Sequence, residues 1–94
     1  MTLTIDVVKR SGRRPSEAFD RNKLHRSLRA ACLSVRTPEG EAESTANNVT
    51  DAVIVWLTAK PAVTSSDLRR IASAHLTRYH PEAAYFYQRH RTII

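Results

Sequence analysis

The sequence predicts an α+β fold in which a small sheet or β-hairpin at the N-terminus caps a bundle of four helices. Three features support this prediction: β-branched residues near the start, a turn-like stretch of Gly and Pro after them, and four later segments with apolar residues at helical spacing. A chain of 94 residues with 41% hydrophobic side chains can bury one modest core. We therefore expect a single domain over residues 1–94.

The first strand is predicted at residues 3–10, where aliphatic and β-branched side chains precede a turn. Ser11-Gly12 suits that turn because Gly adopts positive φ without a steric cost. Pro15 lengthens the connection, and a short return strand is expected at residues 17–19. The N-terminal region thus predicts a hairpin with a long loop.

Asp20 is predicted to cap the first helix, because its carboxylate can accept a backbone N–H that lacks a partner inside the helix. Apolar side chains then recur on one face, at Leu24, Leu28, Ala31, Cys32 and Val35. The opposite face carries the cations Arg21, Lys23, Arg26 and Arg29. Residues 37–40 contain Pro and Gly and are expected to end this helix.

Three more helices are predicted in the rest of the chain. The second covers residues 41–58, with an inner side formed by Ala46, Val49, Val53, Trp56 and Leu57. Thr64 and Asp67 have the spacing of a capping box that starts the third helix, and Pro81 begins a fourth that ends near Arg89. The third helix is expected to turn inward Leu68, Ile71, Ala72, His75, Leu76 and Tyr79.

Charge is distributed unevenly along the chain. Residues 1–36 carry nine Lys or Arg against three acids, residues 37–67 carry one against five, and residues 68–94 carry five against one. Basic ends of this kind suit polyanions, nucleotide phosphates or acidic protein surfaces as partners. The alternative is an ordinary basic surface that is merely solvated.

Several classes of protein are disfavoured by composition. One Cys and four scattered His offer neither an internal disulfide nor the ligand spacing of a structural zinc site. No apolar run approaches the roughly 18 to 20 residues needed to span a bilayer, and no secretory leader is visible, so we expect a cytoplasmic protein without membrane contact. No catalytic set or Gly-rich phosphate loop can be assigned, and we expect no enzymatic activity.

The hairpin is interpreted as a phosphate-recognition element. Lys9 and Arg10 adjoin the turn, and Lys suits a terminal phosphate whereas the planar Arg fork suits an oxyanion or a pairing with Glu17. Because neighbouring strand residues leave opposite faces, at most one of the two cations would point into a pocket. The alternative is a basic strand edge that discourages aggregation.

Asp20 has two interpretations. An acidic cap repels a phosphate placed directly on the helix terminus, so its ligand would be a sugar hydroxyl or a base amine, with phosphates nearer Lys9 and Lys23. The alternative is plain N-capping, which stabilises a helix by about 1 kcal/mol.

Aromatic residues gather near the C-terminus at Tyr79, Tyr85, Phe86 and Tyr87. They are interpreted chiefly as core. Beside Arg89 and Arg91 they could alternatively stack the bases of a single-stranded nucleic acid.

The order of these pieces resembles the ATP-cone, the small nucleotide-sensing domain found at the N-terminus of many ribonucleotide reductases and in the zinc-ribbon repressors of reductase genes. The resemblance spans roughly residues 5–90. The matching segments are Val7-Val8-Lys9-Arg10-x-Gly12-Arg13, Phe19-Asp20-x-x-Lys23-Leu24-x-x-Ser27-Leu28, Thr64-Ser65-Ser66-Asp67-Leu68 and Ala83-Ala84-Tyr85.

This resemblance implies a β-hairpin or three-stranded cap over four helices, with ATP or dATP, with or without Mg²⁺, bound between cap and helices without hydrolysis. It implies that Lys9 meets the phosphates, that residues 17–23 line the base and sugar, and that Lys23 adds charge to the phosphates. Ser65 and Arg69 would contribute from the third helix.

The resemblance also implies a regulatory output. The sequence holds neither a reductase body nor a zinc ribbon, so we expect the domain to be part of a longer chain or to act on a partner. That partner would be a ribonucleotide-reductase-related protein, a transcription regulator or a second copy of the chain. The competing hypothesis is a basic module that keeps the fold but binds nucleic acid or serves as a protein adaptor.

Overall fold

The computed structural model describes residues 6–8, 17–60 and 62–89. Within these ranges the chain forms three short strands and four helices. In chain order they are β1 (Asp6–Val8), β2 (Glu17–Ala18), α1 (Arg21–Ser34), α2 (Glu39–Leu57), β3 (Ala62–Thr64), α3 (Ser65–Tyr79) and α4 (Pro81–Arg89).

The predicted α+β class was wrong, because the fold is mostly helical. The helices contain 14, 19, 15 and 9 residues, whereas the strands contain 3, 2 and 3. Strands this short have too few side chains to form a β layer over four helices, so the core is built between the helices instead. Of the strand predicted at residues 3–10, the structure describes Asp6–Val8, and the other positions lie outside the described residues.

The strands bring together the starts of α1 and α3, because β2 precedes α1, β3 precedes α3, and β1 pairs with both. β1 lies between β2 and β3 and is antiparallel to β2, with Asp6 opposite Ala18. β1 is parallel to β3, with Val8 opposite Thr64. The end of β1 therefore lies beside the residue that immediately precedes α3.

Each helix packs mainly on its two neighbours in a ring. α1 contacts α2 and α4, and α3 contacts the same two helices, so α1 and α3 lie diagonally across the bundle. Ion pairs between α1 and α2 run in opposite chain directions, from Arg21 with Asp51 to Arg29 with Glu39, which shows that these helices are antiparallel. A hydrogen-bond contact from Tyr87, near the end of α4, to Ser27 joins these helices at the middle of α1.

The core follows the predicted apolar faces of α1 and α2. Leu28, Ala31 and Cys32 of α1 and Val49 and Val53 of α2 are fully buried. Burial also raises the pKa of the Cys32 thiol, aided by the charge of Glu41, so this cysteine behaves as a small hydrophobic side chain.

The aromatic residues divide between core and surface. Tyr87 is fully buried and Phe86 packs against the core, as predicted. Tyr85 and Tyr79 are 62% and 52% exposed, so the predicted inward position of Tyr79 was wrong. Tyr79 is the last residue of α3, where helical spacing no longer ensures that a side chain faces the core. Trp56 is partly buried, with Lys60 Nζ 5.5 Å from its ring centroid.

The α1–α2 connection is a tight helix ending. Arg36 has a φ of 64°, the left-handed conformation that normally favours Gly. The N–H groups of Arg36 and Thr37 donate to the carbonyls of Leu33 and Cys32, which is the Schellman pattern. This turn lets α2 begin at Glu39, two residues earlier than the sequence predicted.

Candidate functional site

The predicted site residues fall into two groups. Lys9 and Arg10 lie outside the described residues, and Glu17 is described only through its backbone, which pairs with Val7. Asp20 and Lys23 lie in the first turn of α1, and Ser65 and Arg69 lie in the first two turns of α3. The last four carry the geometry described below.

Asp20 caps α1, as predicted. Its Oδ1 accepts the backbone N–H of Asn22 at 2.9 Å and that of Lys23 at 3.2 Å. Both bonds use the same oxygen, and the side chain is exposed at the helix entrance. The carboxylate therefore neutralises this helix terminus and leaves its outer side accessible to a hydrogen-bond donor.

The start of α3 is a capping box, also as predicted. Thr64 Oγ1 accepts the backbone N–H of Asp67 at 3.0 Å. Hydrogen bonds from Thr64 to the carboxylate, with help from Arg70, hold the pKa of Asp67 below its usual value. Ser65 occupies the first helical position, where backbone N–H groups have no acceptor inside the helix and can bind an anion.

Arg69 differs from every other described arginine. It is partly buried, its Nη1 atom is fully covered, and that atom has no hydrogen-bond partner. No described residue forms an ion pair with it, whereas the adjacent Arg70 is exposed and lies 3.5 Å from Asp67. Ser65, Arg69 and Ser73 recur every four residues, so the guanidinium sits on the inward side of α3.

Tyr87 places a hydroxyl inside the bundle near these groups. Its Oη lies 3.3 Å from Ser27 Oγ, and Ser27 Oγ donates to the carbonyl of Leu24 at 2.7 Å. Burial raises the pKa of Tyr87 above its usual value, while the Ser27 hydrogen bond and the positive charge of Arg69 act in the opposite direction. The phenol is thus in contact with α1 and in the field of a cation on α3.

Tyr87 contacts α1 through Ser27, which lies one helical turn after Lys23. From the sequence we interpret this tyrosine chiefly as core, with base stacking as the alternative. The available sequence signal was a tyrosine that follows Ala83 by four residues on an otherwise apolar face. That pattern does not distinguish a functional hydroxyl from ordinary core.

Two arginines of α1, Arg21 and Arg29, face acids of α2 along a surface that we call the α1–α2 seam. Arg21 Nη2 lies 2.9 Å from Asp51, and Arg29 lies 3.1 Å from both Glu39 and Glu43. The seam explains the acidic middle of the sequence, since those acids neutralise the basic α1. Because Arg21 and Arg29 are paired with acids, the seam has less unpaired positive charge than the composition suggested.

The described residues contain neither a metal-ion cluster nor a membrane-spanning helix. Among residues 6–8, 17–60 and 62–89, no group of three or more His, Cys, Asp or Glu is arranged to hold a metal ion. In the same part of the chain, no helix is both long and apolar enough to cross a membrane.

The described residues thus form a four-helix domain in which side chains cap the starts of α1 and α3 and a partly buried arginine on α3 has one covered nitrogen without a hydrogen-bond partner. The family model described as the ATP cone domain matches residues 5–93. The chain therefore belongs to the ATP-cone family, and the resemblance noted in the sequence is confirmed. No curated protein and no solved structure matched the chain.

Membership of this family sets the broad role of the chain. ATP-cone domains are regulatory rather than catalytic, and in general they bind adenine nucleotides. The family thus indicates a nucleotide-sensing regulatory role.

Proposed function

We propose that this chain binds ATP or dATP without hydrolysing it, at the end of the bundle where α1 and α3 begin, and that binding controls a partner protein or the chain's own oligomerisation. The proposal combines the family with one structural observation, the unpaired guanidinium of Arg69. The same part of the molecule holds Lys23 and the start of α3.

Arg69 carries the proposal because a buried, unpaired charge is costly to a fold. A covered donor without an acceptor typically costs about 1–3 kcal/mol, and more when it is charged. Such a group persists in a small domain when a ligand supplies the acceptor. A phosphate oxygen is the acceptor that a guanidinium binds best, because the two can form paired hydrogen bonds.

The other residues have complementary roles in the proposed complex. Lys23 contributes a second cation for the phosphates, and Ser65 offers a hydroxyl and a free backbone N–H at the start of α3. Asp20 would accept a hydrogen bond from the ribose or the base amine. Val8, which directly precedes Lys9 and Arg10 in the sequence, pairs with Thr64 at the start of α3. We assign Lys9 and Arg10 to the phosphates and Glu17 to the sugar and base side.

Binding without turnover is proposed because ATP-cone domains are regulatory rather than catalytic. Mg²⁺, if it takes part, would be held by the nucleotide phosphates. The output would be a change in self-association or in contact with a ribonucleotide-reductase-related or transcription-regulating partner. A cytoplasmic location remains part of the proposal.

Calorimetric titration with ATP, dATP, ADP and adenosine tests this proposal. We expect saturable binding of the triphosphates and release of no inorganic phosphate. Arg69→Met should weaken ATP binding about tenfold or more, the loss of one charged hydrogen bond of about 1.4 kcal/mol. Arg70→Met is the matched control, because Arg70 is adjacent, exposed and paired with Asp67. Flat titrations of the wild-type chain, or equal losses in both variants, would refute the proposed site.

Nucleic-acid binding is the second candidate function, and exposed aromatic residues favour it. Tyr85 is 62% exposed, and the guanidinium of Arg89 lies 4.7 Å from its ring centroid. A base could stack on such a pair. Its test is binding of single-stranded oligonucleotides across a salt series with and without ATP, where affinity should fall steeply with salt and ignore the nucleotide.

A further inference from the structure

We propose that Arg69 is a two-position side chain that makes the nucleotide site selective for phosphate-rich ligands: its guanidinium lies inward while the site is free and rotates outward to bind the phosphates. The inference rests on the proposed function, since it concerns the same site. It starts from the observation that Nη1, the nitrogen without an acceptor, is covered by the protein.

The covered nitrogen of Arg69 cannot bind a phosphate from the position it occupies. A phosphate oxygen must come within about 3 Å of a nitrogen to accept its hydrogen bond, and the protein around Nη1 leaves no room for that approach. The side chain as a whole is only partly buried, so another part of it already lies at the surface. Rotation about its own bonds can therefore bring the guanidinium out while α3 stays folded.

Little holds the guanidinium in its inward position. Nη1 has no hydrogen bond to lose, and no described residue forms an ion pair with Arg69. The inward position keeps the apolar stem of the side chain against the protein, whereas the outward position lets water or a ligand satisfy the donors. Because these two contributions oppose each other, a ligand that binds only the outward position can shift the population.

The movement makes the affinity depend on the phosphates of the ligand. A ligand that uses Arg69 binds more weakly by the fraction of chains in which the guanidinium is outward, so it must offset that cost with its own contacts. A triphosphate brings more charge and more acceptor oxygens to the guanidinium than a monophosphate does. Arg69 should therefore strengthen the binding of ATP and leave that of AMP almost unchanged.

The inward position also faces the rest of the bundle. Ser73 lies one turn after Arg69 on the same side of α3, is 6% exposed, and has a hydroxyl without a hydrogen-bond partner. By contrast, Thr77, another turn along, donates to the carbonyl of Ser73 at 2.8 Å. This side of α3 thus holds two covered polar groups without partners, and α3 packs on α2 and α4. Movement of Arg69 gives phosphate binding a route to the packing of these helices.

Crystal structures of the chain alone and with ATP test the movement directly. Without ATP we expect Nη1 to be covered, and with ATP we expect a guanidinium nitrogen of Arg69 within about 3 Å of a phosphate oxygen. Arg70, which is exposed and lies 3.5 Å from Asp67, is the internal control and should keep its position. The same position of Arg69 in both structures, whether inward or outward, would overturn the movement.

Calorimetry with ATP and AMP tests the selection. In Arg69→Met we expect the affinity for ATP to fall about tenfold or more while that for AMP stays within about twofold, and in Arg70→Met the ratio of the two affinities should not change. Cooperative thermal unfolding checks that each variant is folded. Equal losses for ATP and AMP in Arg69→Met would overturn the selection while wild-type ATP binding kept the proposed function intact. Absence of ATP binding to the wild-type chain would overturn both.

Discussion

Arginine side chains have opposite environments at the α1–α2 seam and on the inward side of α3. At the seam, Arg29 is 36% exposed and contacts two carboxylates, Glu39 and Glu43. In the interior, Arg69 has a covered nitrogen with no acceptor. Exposed pairs typically contribute only about 0–1 kcal/mol, whereas a buried unpaired donor costs more than that. The difference underlies the proposed division of roles, in which the seam stabilises the fold and Arg69 binds a ligand at the expense of stability.

The largest expected effect is on nucleotide-dependent stability. ATP at a hundredfold excess over Kd should raise the free energy of unfolding of the wild type by about 2.7 kcal/mol. In Arg69→Met the same ATP concentration should add about 1.4 kcal/mol or less, while the ligand-free variant should be about 1–2 kcal/mol more stable than wild type. Urea unfolding with and without ATP measures both quantities. A ligand-free variant less stable than wild type would show that Arg69 is structural.

An intermediate effect is expected at the start of α3. Thr64→Ala removes the acceptor for the Asp67 N–H and should cost about 1 kcal/mol in unfolding experiments. Ser66→Ala is the control, because Ser66 is exposed and lies two residues after Thr64, and this substitution should cost much less. If both substitutions had equal effects, the capping box would contribute nothing specific.

Thr64→Ala should also change how the free energy of unfolding depends on pH. Because the folded-state pKa of Asp67 is lowered, its ionised carboxylate stabilises the protein above the unfolded-state value of about 3.9, and this contribution disappears as the pH falls through the folded-state pKa. Thr64→Ala removes the main cause of the lowered pKa. Its stability should therefore decline less steeply than that of wild type as the pH falls below about 4. Parallel pH profiles would contradict this account.

The smallest effect is expected at the seam. Arg29→Met should lower the free energy of unfolding by less than about 1 kcal/mol, and the difference should shrink in about 1 M salt, because exposed ion pairs are screened. Arg26→Met is the control, since this exposed arginine of α1 contacts the backbone carbonyl of Asn22 rather than an acid. A salt-independent loss of several kcal/mol at Arg29 would remove the contrast between the two regions.

Local chemistry made much of the helical part of the fold predictable. Asp20 and Thr64 act as caps because a short polar side chain before an amphipathic run satisfies the first backbone N–H groups of the helix. The inward positions of Leu28 and Val53 follow from a period of 3.6 residues. The α+β class failed because β-branched residues near Val7 favour strands, but only tertiary pairing decides how many of them join one.

Residue patterns along the chain were enough to predict the helices, their caps, most of the buried faces and the family, because each depends on residues close together in the chain or on motifs in a set order. Which charges find partners could be seen only in the folded molecule. Arg21 and Arg29 are neutralised by acids 10 to 30 residues away, while the covered Nη1 of Arg69, next to a paired Arg70, has no hydrogen-bond partner. Charge pairing depends on distances between helices, which residue spacing along one helix does not encode.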